Sequence, residues 1–211
     1  MENNTAFLFD LDGVIIDTEP QYDIFWKKTG EDYQLGIENF ERVIKGTTLP
    51  NILAKYFSHL SKKDRQDITD NVYAFESQMD MTPIPGVMEF LTELKEAGIK
   101  TGLVTSSDDV KLTAVFDKLP TLKGYFNTIV SANRITQGKP HPMCYLLAAE
   151  DLNVSPQDCI VFEDSFTGIA SGNAAGMKVI GLSTTNSAES IQDKVSKVIP
   201  NFKEFKIEVE K

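Results

Sequence analysis

Strand patterns and helix patterns alternate along the second half of the chain, and this alternation limits the possible folds more than any other feature. Each strand pattern is a short apolar run, whereas each helix pattern repeats apolar residues about every 3.6 positions. The strand patterns are Lys100–Ser107, Tyr125–Ser131, Cys159–Phe162 and Met177–Leu182, and the helix patterns are Val87–Ala97, Val110–Lys118, Met143–Asp151 and Gly168–Ala175. Such alternation predicts an α/β fold with a doubly wound parallel sheet that helices cover on both faces.

A helical insert interrupts this alternation after an earlier strand pattern at Phe7–Phe9. From Gln21 to about Asp80 the chain shows helical patterns and almost no strand signal. The proline and glycine residues of TPIPGV, which starts at Thr82, then indicate a linker. We therefore predict a discontinuous core domain and a small helical domain inserted into it. The core comprises residues 1–15 and 83–211, and the helical domain comprises residues 16–82.

Length and composition limit the class of protein. The 211 residues suffice for a core plus a small inserted domain. No stretch approaches the roughly 18 consecutive apolar residues of a membrane helix, and MENNTAF lacks signal-peptide features, so we expect a cytoplasmic protein. The net charge of −10 disfavours nucleic acid and anionic membranes as partners. We expect a monomer with buried thiols at Cys144 and Cys159. No element is assigned to Val195–Lys211, and its charged end is expected to be a frayed surface segment.

Two aspartates directly follow the first strand pattern, in the sequence FLFDLDGV. Residues i and i+2 of an extended segment point the same way, so Asp10 and Asp12 are expected on one side of the strand exit. Two such carboxylates repel each other unless a cation lies between them, and Mg²⁺ prefers carboxylates together with substrate phosphate oxygens. The motif therefore predicts a site for metal and phosphate, with an ordinary polar turn as the alternative.

Polar side chains also follow the other predicted strands, at the ends where open parallel sheets bind ligands. They are Thr105, Ser106 and Ser107 after the second strand, Lys139 in GKPHP after the third, and Glu163, Asp164 and Ser165 after the fourth. Each has a simpler interpretation, as a helix cap or as an exposed lysine in a proline-rich loop. Together, a carboxylate, hydroxyls, a lysine and a metal site are the groups that phosphoryl transfer requires.

Several motifs make the sequence similar to a known family. FDLDGVIID, LVTSS, the KP that begins at Lys139, and FEDSFTGIASGNAAGM resemble the motifs of the haloacid dehalogenase-like (HAD) phosphohydrolases. The resemblance extends from Phe7 to about Leu182 and implies a Rossmann-like core with Mg²⁺ as cofactor. It also implies that the insert is a helical cap that opens and closes over the site, with hinges near Gly13–Thr18 and Thr82–Gly86.

The resemblance implies catalytic and metal-binding roles. Asp10 would be the nucleophile and a metal ligand, and Asp12 would be the general acid and base that also binds the metal through its carbonyl. Lys139 would neutralise the phosphoryl group, and Asp164 would complete the Mg²⁺ site. Glu163 would lie beside the metal, through water or Lys139.

The resemblance also implies the substrate contacts. Thr105 would hold the phosphoryl group together with the backbone amide of Ser106. Further contacts with the substrate are expected from Ser107 and, on the cap, from Gly46 and Tyr22. The partner implied is a small phosphorylated metabolite.

The sequence is most similar to the branch of β-phosphoglucomutases and sugar-phosphate phosphatases, but it departs from the mutase pattern in the cap. Tyr22 stands where mutases usually carry histidine, and Leu49 stands where an arginine is expected to bind a second phosphate. The segment DITDNVYAF offers no cap lysine. Because a mutase binds a bisphosphorylated intermediate, these departures favour a phosphatase. His141 is either a loop histidine or a substrate contact.

These observations lead to one main hypothesis and three alternatives. The main hypothesis is a Mg²⁺-dependent phosphatase that hydrolyses a small phosphorylated metabolite, with a sugar phosphate as the favoured class, through an aspartyl-phosphate on Asp10. The first alternative is a β-phosphoglucomutase that moves phosphate between sugar positions. A non-catalytic metabolite- or protein-binding module is the second. Dehalogenation ranks lowest, since Asp12 and Asp164 suit phosphoryl chemistry.

Overall fold

A parallel sheet forms the centre of the computed structural model, which describes residues 5–206. Its strands are β1 (Ala6–Phe9), β2 (Lys100–Val104), β3 (Thr128–Val130), β4 (Cys159–Glu163), β5 (Lys178–Leu182) and β6 (Lys197–Ile199). They lie in the order β3-β2-β1-β4-β5-β6, and each neighbouring pair is parallel. The prediction of an α/β fold with a parallel sheet is confirmed.

Helices fill the stretch between β1 and β2 that the sequence identifies as an insert. They are α1 (Glu19–Asp32), α2 (Phe40–Val43), α3 (Leu49–Tyr56) and α4 (Lys62–Gln78). These helices pack around an apolar cluster of their own, formed by Trp26, Phe40, Ile44, Ile52, Phe57, Ile68 and Val72. Ser61 is the N-cap of α4, and its Oγ accepts a hydrogen bond from the Asp64 backbone N–H (3.1 Å). The division into core and cap domains stays a prediction.

Further helices cover both faces of the sheet, because successive strand residues point to opposite sides. They are α5 (Val87–Glu96), α6 (Asp109–Lys118), α7 (Met143–Leu152), α8 (Phe166–Ala174) and α9 (Ala188–Ile191). In β1, Phe7 and Phe9 belong to the apolar cluster shared with α5 and α6, whereas Ala6 and Leu8 belong to the cluster shared with α7, α8 and α9. The doubly wound arrangement is therefore as predicted. No helix within residues 5–206 has the length and apolar character needed to cross a membrane.

β1 lies in the middle of the sheet, and this position determines where its carboxyl end lies. All of β1 is buried, and its Leu8 is paired with β2 on one side and with β4 on the other. The Phe9 ring stacks on Phe162 of β4, with 4.8 Å between the ring centroids. The pairing continues one residue further, because the Asp10 N–H donates to the Phe162 carbonyl (3.0 Å). Asp10 is therefore held at the middle of the carboxyl edge of the sheet.

The two segments that connect the core with the insert lie side by side. The Asp17 N–H donates to the Thr82 carbonyl (2.8 Å), and the Ile84 N–H donates to the Ile15 carbonyl (2.9 Å). An antiparallel bridge between Ile16 and Pro83 lies between these two bonds. The predicted hinge segments are thus paired with each other, directly after the loop that carries Asp10 and Asp12.

The C-terminal segment contains a strand that local sequence patterns do not predict. Within Val195–Lys211, Lys197–Ile199 forms β6 and pairs with β5. Phe202 is buried in the core cluster, and the Phe205 ring packs edge-on against Phe162. A strand of three residues is too short to produce a periodic pattern, so no element is assigned to it from the sequence. Residues 207–211, which belong to the charged end expected to be frayed, lie outside the described residues.

Candidate active site

The carboxyl ends of the strands bring the main sequence-predicted site residues to one edge. Asp10 follows β1, Thr105 follows β2, and Glu163 ends β4 with Asp164 directly after it. Lys139 comes from the loop before α7, where the Lys139–Pro140 peptide bond is cis. All five residues are buried.

Lys139 lies between two of the acids. Its Nζ donates to Asp10 Oδ1 (2.8 Å), to Glu163 Oε1 (2.5 Å) and to the Val104 carbonyl (3.3 Å). Burial alone disfavours the charged amine, but the neighbouring Asp10 and Glu163 carboxylates outweigh it and raise the pKa of Lys139 above its usual value. The lysine therefore keeps its positive charge beside Asp10 at neutral pH.

Three buried carboxylates form a possible cation site. Asp10, Glu163 and Asp164 offer oxygen atoms that all lie within 4.8 Å of one another. Burial raises the pKa of Asp10 to about 7, with Lys139 opposing the rise and Glu163 adding to it. Burial and the acids around it, Glu19 first among them, raise the pKa of Asp164 well above its usual value. Crowded buried carboxylates of this kind fit a hard divalent cation, which would restore their charged form.

Within this group, Glu163 is already occupied by protein donors. Its Oε1 accepts from Lys139 and from the Tyr145 hydroxyl (3.0 Å), and its Oε2 accepts from the backbone N–H groups of Asp164 (3.0 Å) and Ser165 (3.1 Å). Asp10 and Asp164 are therefore more available to a cation. Glu163 instead holds the Lys139 ammonium group and the backbone at the start of the loop that follows β4.

Gly13 leaves room for the Asp164 carboxylate. The backbone of Gly13 has φ +73°, and a Cβ at this position would lie 2.0 Å from Asp164 Oδ2. Any other residue would both strain the backbone and displace that carboxylate. The glycine of the DLDG motif thus leaves the space that the Asp164 carboxylate occupies.

The segment Thr105–Ser107 is not the cap of α6. That cap is Asp108, whose Oδ1 accepts from the backbone N–H groups of Val110 (3.1 Å) and Lys111 (3.0 Å). The Thr105–Ser107 segment is left to line the site, and the Ser106 hydroxyl donates to the Gly46 carbonyl of the insert (2.9 Å). Ser165, in contrast, does cap a helix, because its Oγ accepts from the Gly168 N–H in the first turn of α8 (3.0 Å).

The Asp12 carboxylate lies outside the group of three carboxylates. Lys111 Nζ is 2.5 Å from each of its oxygens, Ser107 Oγ donates to Oδ2 (3.1 Å), and Thr18 Oγ1 donates to Oδ1. The Asp10 and Asp12 carboxylates thus have separate partners, Lys139 for the first and Lys111 for the second. The sequence analysis missed Lys111, although it falls on the apolar face of α6, four residues before the buried Val115.

A cavity of about 340 Å³ separates the strand ends from the insert. From the core, Asp10, Asp12, Thr105, Ser106, Ser107 and Asp164 line it, and from the insert, Glu19, Tyr22, Trp26, Glu41, Lys45, Gly46, Leu49, Tyr73 and Glu76 are among its lining residues. The predicted cap contacts Tyr22 and Gly46 thus face the same cavity as the predicted catalytic residues Asp10, Asp12 and Thr105. His141 is exposed, and its Nδ1 accepts from the Met143 N–H (3.2 Å), as a loop histidine does.

The insert side of the cavity is acidic. Lys45 is engaged there, since it pairs with Glu19 and with Asp23 (2.7 Å). The Tyr22 hydroxyl donates to Glu76 Oε1 (2.5 Å), and burial, with Asp12 and Glu76, raises the pKa of Tyr22 well above its usual value. Tyr22 is therefore a neutral hydrogen-bond donor rather than a base.

Fold and site together define a Rossmann-like α/β protein with a lysine and acidic groups at the strand ends and a helical insert above them. The family model of the haloacid dehalogenase-like hydrolases matches residues 7–182. The chain belongs to this family, as its motifs indicate, and it is an enzyme of the phosphohydrolase or mutase type.

Curated relatives and solved structures place the chain within the family. Hexitol phosphatase A of Escherichia coli (strain K12) is 33% identical over 180 residues, which cover 84% of this chain and 82% of the relative. Beta-phosphoglucomutase of Bacillus subtilis (strain 168) is 31% identical over 195 residues, with 84% and 82% covered. The crystal structure of beta-phosphoglucomutase from Clostridium difficile has a TM-score of 0.79 at 27% identity and covers 97% of this chain and 94% of that one.

Proposed function

We propose that the protein is a Mg²⁺-dependent phosphatase that hydrolyses the phosphate ester of a small metabolite, a sugar phosphate. The observation that carries this proposal is the buried arrangement of Lys139 against Asp10, with Asp164 beside them at the floor of the cavity. The similarity to relatives named hexitol phosphatase A and phosphorylated carbohydrates phosphatase supports the class of substrate.

In the first step, an Asp10 carboxylate oxygen attacks phosphorus, and the bond between phosphorus and the ester oxygen breaks. Protonated Asp12 gives its proton to that oxygen, so the metabolite leaves as a neutral alcohol. Lys139 offsets the charge of the phosphoryl oxygens, and the Thr105 hydroxyl and the Ser106 N–H donate to them. The product bound to the enzyme is an aspartyl-phosphate on Asp10.

In the second step, water attacks the phosphorus of the aspartyl-phosphate while the Asp12 carboxylate takes a proton from that water. The bond between Asp10 and phosphorus breaks, which releases inorganic phosphate and restores the Asp10 carboxylate. Asp12 is protonated again and ready for the next cycle. When bound, Mg²⁺ held by Asp10, Asp164 and the Asp12 carbonyl would supply positive charge against the phosphoryl oxygens.

The charge of the cavity supports a phosphatase over a mutase. A bisphosphorylated intermediate needs cationic groups on the insert side for its second phosphate. The lysine that lines that side, Lys45, is already paired with two carboxylates, and Glu41 and Glu76 add negative charge. A substrate with one phosphate and an uncharged, hydroxylated remainder suits this cavity better.

The mutase stays the second candidate, because the chain is 31% identical to a curated beta-phosphoglucomutase. A coupled assay distinguishes the two. A phosphatase releases free phosphate from β-glucose 1-phosphate, whereas a mutase supplied with a bisphosphate activator forms glucose 6-phosphate faster than it releases phosphate. The second result would reverse the assignment.

The phosphatase proposal is tested with Asp10→Asn. The purified protein with Mg²⁺ is expected to release phosphate from at least one member of a panel of sugar phosphates, and the variant is expected to lose on the order of 10⁴-fold or more of that rate, as removal of a nucleophile does. The matched control is Asp193→Asn, which alters an exposed surface carboxylate and should leave the rate unchanged. Equal turnover by Asp10→Asn and the wild-type protein would contradict the mechanism.

A further inference from the structure

Lys111 is a buried lysine on α6 that the steps above do not use. It is 2% exposed, and its Nζ lies 2.5 Å from both carboxylate oxygens of Asp12. Burying an ammonium group is costly unless an opposite charge compensates it. An apolar residue on this face of α6 would avoid the desolvation cost of a buried ammonium group. The pairing of Lys111 with Asp12 therefore calls for an explanation other than packing.

Three donors from separate segments hold the Asp12 carboxylate. Lys111 comes from α6, Ser107 comes from the loop after β2, and Thr18 comes from the segment that enters the insert. Asp12 also lies close enough to Asp10 for the two charges to repel each other. The positive charge of Lys111 offsets that repulsion and keeps the Asp12 side chain in one place.

The contacts of Lys111 continue into the insert. Its Nζ lies 4.5 Å from the centroid of the Tyr22 ring, a cation–π contact with α1. The Tyr22 hydroxyl donates in turn to Glu76 of α4 (2.5 Å). Beside this chain of contacts, the Tyr73 hydroxyl of α4 donates to Asp108 Oδ2 at the start of α6 (2.6 Å). One buried ammonium thus contacts both the acid of the core and an aromatic ring of the insert.

We propose that Lys111 is a positioning residue that fixes the Asp12 carboxylate for proton transfer when the insert is seated on the core. This inference rests on the proposed phosphatase function and adds a residue to it. Lys111 acts through Asp12, so its removal slows the steps in which Asp12 moves a proton and leaves the other step unchanged. A lysine that only stabilises the fold would affect all steps alike.

p-Nitrophenyl phosphate separates the steps, because p-nitrophenolate leaves without being protonated. With this substrate, formation of the aspartyl-phosphate needs no acid, whereas its hydrolysis needs Asp12 as the base. Rapid mixing therefore reports the first step as a burst of p-nitrophenolate and the second step as the steady-state rate. A sugar phosphate, whose alkoxide requires a proton, needs Asp12 in both steps.

The experiment compares the wild type, Lys111→Met, Asp12→Asn and the double variant at saturating Mg²⁺. For Lys111→Met, the burst rate should stay within about threefold of wild type, while the steady-state rate should fall about 10- to 100-fold, the size expected when a reacting group is misplaced. In the Asp12→Asn background, adding Lys111→Met should cause less than about a twofold further loss. If Lys111→Met does not melt cooperatively, Lys111→Gln replaces it in the experiment, and the same pattern of burst and steady-state rates is expected.

Three outcomes overturn the inference alone. The first is a Lys111→Met variant that hydrolyses substrate as fast as wild type. The second is an equal loss in the burst rate and in the steady-state rate, and the third is an equal loss of rate with and without Asp12→Asn. If the wild-type protein shows no turnover, or if Asp10→Asn is fully active, the phosphatase proposal fails and this inference fails with it.

Discussion

At the scale of single residues, the site depends on close approaches that few side chains permit. Asp10 and Asp12 lie one residue apart, yet Lys139 holds the first and Lys111 holds the second. Each aspartate thus has its own buried ammonium partner. Separate partners suit the two roles proposed for these residues, a nucleophile for Asp10 and an acid and base for Asp12.

Gly13→Ala tests the space beside Asp164. The new Cβ would meet Asp164 Oδ2, so we expect at least a tenfold loss of phosphatase activity at low Mg²⁺ and a higher Mg²⁺ concentration for half-maximal rate. The control is Gly36→Ala, where φ is +65° but no atom lies within 4 Å of the added Cβ. Both variants should lose about 1–2 kcal/mol of stability through the left-handed backbone, so equal activity in the two would contradict the explanation.

At the scale of elements, the carboxyl end of β1 and the segments that enter and leave the insert form one unit. The loop after β1 carries both aspartates, and the paired segments at Ile16 and Pro83 follow within a few residues. A displacement of the insert would therefore act directly on the loop that holds Asp12. Thr18, at the start of α1, contacts the Asp12 carboxylate itself.

The segment from Lys197 to Phe205 packs as an integral part of the core. Phe202 is 3% exposed and contacts the rings of Phe9 and Phe90, so Phe202→Ala should lower the free energy of unfolding by about 3–5 kcal/mol in urea titrations followed by circular dichroism. Phe166→Ala removes the same atoms from a ring that is 46% exposed and should cost less than about 1.5 kcal/mol. Similar losses in both variants would contradict the placement of this segment.

At the scale of the whole molecule, a bound cation should stabilise the fold. Asp10 and Asp164 are buried among other acids, and Mg²⁺ would relieve their repulsion. At a Mg²⁺ concentration of 100 times the Kd, the gain should be about 2.7 kcal/mol, measured as a rise in Tm that EDTA reverses. Asp164→Asn should remove most of this rise, whereas Asp193→Asn should keep it. A Tm that does not change with Mg²⁺ would argue against the cation site.

The parts of the fold and site that follow local patterns could be predicted from the sequence. Apolar runs alternating with amphipathic segments predicted the sheet, and polar residues after those runs placed Asp10, Thr105 and Asp164 at one edge. Lys111 could not be paired in this way, because its partner Asp12 is 99 residues away and a lysine in a helix is normally exposed. The three residues of β6 are held in the sheet by pairing with β5, which no local pattern reveals.

The most direct test of the central claim is to trap the phosphoryl group on Asp10. In Asp12→Asn, p-nitrophenyl phosphate should still phosphorylate Asp10, but the water that would remove the phosphoryl group lacks its base. We predict a burst of one p-nitrophenolate per active site and, after an acid quench, a mass increase of one phosphoryl group on the peptide that contains Asp10. Steady turnover at the wild-type rate, or a phosphoryl group on a different residue, would contradict the account.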